Sequence, residues 1–158
     1  MKITIRQITD ARDPHMDAVR EWNRAWWGAE LPSFDQYMDN SVFADRIPQT
    51  FVALLDGKPV GTYGLHMNDN LDARPDLFPW FVNLWVDEAY RKHGVCRAIM
   101  ESVPAQMRRL GLETLYLWTP HEKLFEKFGW TYMGDETFWR SDNAYNGKTV
   151  HLYRLEAK

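Results

Sequence analysis

Apolar and polar positions alternate with two different periods along this chain, and the switches between them lay out its elements. Residues 2–8 alternate, with Ile3 and Ile5 set between polar neighbours, which predicts a half-buried strand. Asp13-Pro14 supplies a cap and a first helical residue, and Met16, Val19, Trp22 and Trp26 then recur at helical spacing until Gly28. Residues 33–43 read as a second helix with Ser33 at its cap. Residues 49–67 hold two apolar runs around Asp56-Gly57, the pattern of a hairpin. A polar loop with two prolines, 68–79, leads into 80–86, which is nearly all apolar and so predicts a central strand covered on both faces. A helix over about 94–110 follows, with Val95, Ala98, Ile99, Ser102, Val103, Met107 and Leu110 on one face; Pro104 should kink it and Gly111 end it. Residues 113–119 predict another strand, 121–129 a short helix ending at Gly129, and 130–139 and 148–155 two closing strands.

The resulting order, β, α, α, β, β, β, α, β, α, β, β, predicts a single α/β domain over 1–158. Strand, helix and strand over 80–118 imply a right-handed parallel crossover inside a mixed sheet, with helices on both faces. A chain of 158 residues can bury roughly two-thirds of its unfolded surface, so a full core is expected. Aromatic residues are high at 15%, with eight Trp; most should serve the core, and some should line a pocket or interface. The net charge of −3 argues against a nucleic-acid footprint, and no apolar run approaches membrane-spanning length. The single cysteine, Cys96, excludes an intrachain disulfide and fits a reducing cytoplasm.

Against that acidic balance, Arg91-Lys92-His93-Gly94 concentrates positive charge where a helix begins. A helix start offers unpaired N–H groups and the positive end of the helix dipole, and Gly94 lets the backbone approach a ligand closely. The chemistry suits a phosphate or pyrophosphate; a solvated basic turn is the plainer reading of the same residues.

Arg91-Lys92-His93-Gly94-Val95-Cys96 resembles the R/Q-x-x-G-x-G/A segment of the GNAT superfamily of N-acetyltransferases. "VNLWVDEAYRKHGVCRAIM" looks like that family's strand, loop and helix, and "LGLETLYLWT" with "LFEKFGW" looks like its next strand and short helix; the detailed likeness covers about residues 80–132. The resemblance implies a mixed, mostly antiparallel sheet with a central splayed parallel strand pair. It implies acetyl-coenzyme A as cosubstrate, with no metal, and direct attack by a primary amine of a small molecule or peptide. Arg91, Lys92, His93, Gly94, Val95 and Cys96 would hold the pyrophosphate. The backbone of Leu84 and Val86 would pair with the pantetheine amides, and an N–H near Leu84 would polarise the thioester carbonyl.

Two positions depart from the family pattern. Cys96 replaces a Gly or Ala; it is small enough to keep the approach, and a helix start could lower its pKa, though a passive role is the commoner one. Phe125 replaces a Tyr that protonates the leaving thiolate in many members, so it is expected to pack or to touch the pantetheine arm. Asn83 occupies the place of an acidic residue in some members and can hold a water but not a proton. His121 and His66 are the titratable candidates, His121 first. Tyr116 and Tyr132 are weaker acid candidates expected in the core. On the acceptor side, Trp27 could line a pocket, and Asp69, Asp72 and Asp76 could attract a cationic amine, unless Asp72 and Arg74 form a local turn with an ion pair. No nucleic acid or membrane is expected as partner, and a homodimer is left open. A non-catalytic acyl-coenzyme A sensor of the same fold is the alternative, favoured by Phe125 and Asn83.

Overall fold

The computed structural model describes residues 2–27, 32–141 and 143–158. Its strands are β1 (Ile3–Ile8), β2 (Gln49–Leu55), β3 (Lys58–His66), β4 (Trp80–Val86), β5 (Thr114–Thr119), β6 (Thr131–Thr137) and β7 (Thr149–Glu156). Its helices are α1 (Met16–Trp27), α2 (Pro32–Asp39) and α3 (Val95–Leu110). The seven strands make one sheet in the order β1-β2-β3-β4-β5-β7-β6, antiparallel throughout except for the parallel pair β4–β5. The predicted class is therefore the observed one: a mixed, mostly antiparallel sheet around one central parallel pair.

Helices cover both faces. Alternation along β2 sends Phe51, Ala53 and Leu55 to the α3 side, where they join Ile99, Val103 and Met107, and sends Val52 and Leu54 to the other side, against Met16, Val19 and Met38. The hairpin turn forms as predicted: Asp56 and Gly57 both have positive φ, 50° and 85°, the conformation that matches the twist of a two-residue connection. Pro104 sits inside α3 without ending it. A mid-helix proline costs about 3 kcal/mol. Burial of Val95, Ile99, Met100, Val103 and Met107 contributes more, at about 1.5–3 kcal/mol for each large side chain.

Several boundaries differ from expectation for local reasons. The second helix stops at Asp39 rather than 43, because Ser41 turns back to bond Tyr37 O through its Oγ at 2.8 Å and Val42 then bridges to Gln49. The helix expected over 121–129 shrinks to a 3-10 turn, Phe125–Phe128, after Lys123 takes φ 61° and Thr119 Oγ1 captures the His121 N–H at 3.0 Å. Gly28 and the side chains of Trp26, Trp27, Ser33 and Phe34 lie outside what the structure describes. Among the described residues, no helix is long and apolar enough to cross a membrane.

Candidate active site

The site is built where β4 and β5 part. Their ladder holds at one register pair, Trp80 opposite Tyr116, reinforced by the Tyr116 N–H bonded to Pro79 O at 3.0 Å. Further along, β4 stays with β3 but bulges. Thr62 faces Trp85 and Gly64 faces Val82, so Asn83 and Leu84 together oppose Tyr63 alone. Asn83 carries the strain of the bulge at φ 58°, a conformation that Asn adopts more readily than other non-glycine residues. The identity of residue 83 thus has a backbone cause before any chemical one.

A cavity of about 570 Å³ passes through the gap. Phe81 and Leu117 on its wall belong to the core on the α3 face, while Val82 and Trp118 belong to the cluster on the opposite face with Leu71 and Phe138. Side chains of successive strand residues point to opposite faces, so a cavity touching both sets crosses the sheet.

At one mouth lies the basic turn. Lys92 and Gly94 take positive φ, 64° and 85°, and Val95 opens α3. Among the described residues, no protein acceptor takes the main-chain N–H of any residue from Lys92 to Arg97; the first bond of the helix is Ala98 N–H to Gly94 O at 3.0 Å. Left-handed residues alternating in a turn gather such N–H groups into an anion-binding concavity. A Cβ built on Gly94 would meet no atom within 4 Å, so the space over the turn is open. The residues present fit a diphosphate.

Residues 16–130 match the model of the Acetyltransferase (GNAT) family. The chain belongs to that family. Its fold is similar to an aminoglycoside 6'-N-acetyltransferase complexed with coenzyme A, at TM-score 0.72 and 13% identity over 97% of this chain and 96% of that one. It is also similar to a GNAT family acetyltransferase from Elizabethkingia anophelis with acetyl-CoA bound, at TM-score 0.66 and 16% identity over 98% and 97% of the two chains. An IAA acetyltransferase from Bacillus cereus aligns at TM-score 0.70 and 15% identity over 98% and 99%. Curated protein sequences give no match.

Within this GNAT domain, the cavity brings together Asn83, Leu84, Val86, Arg91, Lys92, Gly94, Val95, Cys96, His121 and Phe125, all singled out from the sequence. His93 is the exception: it does not line the cavity, and its Nδ1 lies 2.7 Å from Arg91 O. Arg91 folds back over the site, its guanidinium 4.7 Å above the Trp85 ring and its Nε donating to Val86 O at 3.1 Å. Since the Asp87 N–H bonds β3 at Val60 O, the groups of Val86 point the other way, toward the gap. Phe125 is 4% exposed and packs against Trp130 and Tyr153, the packing role expected of it. Burial pushes the Cys96 thiol up, against the nearby Arg97 charge that pulls it down.

Four other expectations change. His66 is buried and hydrogen-bonded to Tyr37, away from the cavity wall. Tyr132 is half-exposed rather than core and donates to Asp135 at 2.6 Å. Tyr116 is only partly buried, packed beside Trp80. The loop ion pair is not Asp72 with Arg74: Arg74 grips Asp76 at 3.0 Å, and Asp72 reaches Arg140 at 3.5 Å. Asp69, grouped in the sequence with those two, is the one of the three that lines the cavity, and burial holds its carboxyl well above the usual carboxylate range.

Proposed function

We propose that the protein is an N-acetyltransferase that moves an acetyl group from acetyl-coenzyme A to a primary amine of a small molecule or peptide in the cytoplasm. The observation that carries this is the run of N–H groups from Lys92 to Arg97 with no protein acceptor among the described residues, placed at the mouth of a gap through the sheet. Those N–H groups and the side chains of Arg91 and Lys92 would bind the diphosphate; His93 Nδ1 is engaged at Arg91 O. The main-chain groups of Leu84 and Val86 would line up the arm, with Arg91 Nε giving up Val86 O as it turns to the phosphate. The Leu84 N–H, turned by the bulge at Asn83, would hold the acyl oxygen. Leu117 and Phe125 keep the wall apolar and exclude water. Bound there, acetyl-coenzyme A would supply the activated acyl carbon. His121 stands on the same wall, exposed, where it could exchange a proton with solvent.

Phe125 favours a second reading, a sensor that binds acyl-coenzyme A without turnover, because its ring has no proton to give. One experiment separates them: thiol release from acetyl-coenzyme A with a panel of primary amines, alongside the melting temperature with coenzyme A alone. Thiol release dependent on an amine establishes the enzyme. A raised melting temperature with no amine giving turnover establishes the sensor. No response to coenzyme A overturns both.

A further inference from the structure

The main chain of Arg91 is pinned on both sides: its N–H bonds Glu88 O at 3.4 Å, and its O lies 2.7 Å from His93 Nδ1. Its side chain is held elsewhere. The guanidinium lies 4.7 Å above the Trp85 ring, and Nε donates to Val86 O at 3.1 Å. Trp85, Val86 and Arg91 all line the cavity, so this side chain occupies space that the pantetheine arm needs. The hydrogen bond and the ring contact are the only polar or ring contacts of the Arg91 side chain among the described residues; no described carboxylate holds it. Both are weak beside what a guanidinium makes with a diphosphate, where two N–H groups meet two charged oxygens in parallel. Arg91 therefore has two positions open to it, one over the gap and one on the diphosphate turn, and it can swing between them without moving the backbone.

Resting on the acetyltransferase reading, we propose that Arg91 is a latch opened by the diphosphate, and that it selects acyl donors carrying a diphosphate over the same acyl-pantetheine without one. In the closed position Arg91 takes Val86 O, the acceptor that an amide N–H of the arm needs. A donor with a diphosphate draws the guanidinium onto its phosphates, so the bond given up at Val86 O is replaced on both sides: Arg91 gains the phosphates, and Val86 O gains the amide. A donor without a diphosphate has to displace Arg91 and offers it no anion in return. The one side chain thus couples the two halves of the site. Occupancy of the turn frees the gap, and by reciprocity occupancy of the gap frees Arg91 for the turn. An ordinary phosphate contact behaves differently: it adds affinity for the diphosphate and leaves the affinity for the arm unchanged. Lys92 is such a contact, because it makes no described bond to Val86 O and no described contact with the Trp85 ring.

The test is calorimetry with three probes: coenzyme A, inorganic pyrophosphate, and pantetheine, which is the arm without phosphate. In wild type, saturating pyrophosphate should tighten pantetheine by about 2- to 10-fold, the factor of one hydrogen bond regained. Arg91→Ala should move the two ligands in opposite directions. It should bind coenzyme A more weakly, bind pantetheine alone about 2- to 10-fold more tightly than wild type does, and lose the effect of pyrophosphate on pantetheine. Lys92→Ala should weaken coenzyme A and leave pantetheine alone unchanged. The melting temperature without ligand shows whether Arg91→Ala folds; if it does not, the pyrophosphate effect in wild type decides alone. Pantetheine bound no better by a folded Arg91→Ala than by wild type, undetectable binding in both included, overturns the latch, and so does a wild type in which pyrophosphate leaves pantetheine binding unchanged. Either result leaves the acetyltransferase reading standing as long as wild type binds coenzyme A. Failure of wild type to bind both coenzyme A and pyrophosphate would instead overturn that reading.

Discussion

The Tyr37 hydroxyl lies 2.6 Å from His66 Nδ1, and the two rings meet edge to face with centroids 5.0 Å apart. The contact ties α2 to the end of β3. His66 is 2% exposed, and its Nε2 has no hydrogen-bond partner among the described residues. The packing is tight: a Cβ on Gly64 would come within 3.1 Å of that Nε2. Burial pushes the imidazole pKa down to about 3. A base that stays neutral and enclosed cannot reach a substrate in the β4–β5 gap, so His66 holds structure.

That depressed pKa makes stability depend on pH with a definite sign. The unfolded chain binds a proton on this histidine near pH 6.5, whereas the folded chain does not until about 3. Stability from His66 is therefore whole above about 6.5 and is lost as the pH falls through the window toward 3, by up to about 1.4 kcal/mol per pH unit. Denaturant titrations at pH 7, 6 and 5 should show that fall. His66→Gln should be less stable at pH 7 but flatter over the same range, and an equal slope in the variant would refute the assignment.

Asn83 sits in the cavity wall and also carries the β4 bulge at φ 58°. If the backbone is its main task, Asn83→Gly should keep the coenzyme A dissociation constant within about threefold, because glycine takes positive φ without strain. Asn83→Val should cost about 1–3 kcal/mol of stability and weaken coenzyme A, since a β-branched residue is strained there. Calorimetry with coenzyme A and chemical denaturation decide it; a glycine variant as impaired as the valine one would return the role to the side chain.

The parts of the fold legible in the sequence were those with strong local causes. The run WFVNLWV predicts a strand covered on both faces; β4 occupies those residues, buried over Trp80–Val82 and half-buried beyond, where it borders the cavity, and Asp56-Gly57 and Gly111 are a turn and a cap with positive φ. The basic turn was legible because charge, glycine and helix start coincide at 91–95. What escaped depends on partners far along the chain. The Asn83 bulge comes from its register with Thr62 and Gly64. Asp69, Asp72 and Asp76 look alike in sequence, and only the fold shows Arg140 and Arg74 neutralising two of them. His66 and His121 were equally titratable as letters; burial of one and exposure of the other separate them.

Gly94 offers the most direct check of the diphosphate turn. Its φ of 85° means any side chain adds strain of about 1–2 kcal/mol, and its Cβ would project into open space rather than into protein. Gly94→Ala should stay folded and bind coenzyme A somewhat more weakly. Gly94→Glu should stay folded too and lose at least ~100-fold in affinity, because a carboxylate then faces the phosphates, a repulsion of a few kcal/mol near a protein surface. Unchanged affinity in the glutamate variant would remove the turn from the binding site.

Cys96 lines the cavity one residue into α3, where a helix start ordinarily favours a thiolate. Here burial outweighs the nearby Arg97 charge and holds the thiol above its usual range. Only the thiolate reacts with an alkylating agent, so at pH 7 Cys96 should label several-fold more slowly than a free cysteine peptide, with the rate rising about tenfold per pH unit toward pH 9. Coenzyme A should slow labelling further, because a ligand on the neighbouring N–H groups covers the sulfur. Iodoacetamide kinetics followed by mass spectrometry measure both effects. Labelling faster than the peptide would mean that the helix start, not burial, sets the thiol's acidity, and equal rates with and without coenzyme A would place the ligand elsewhere.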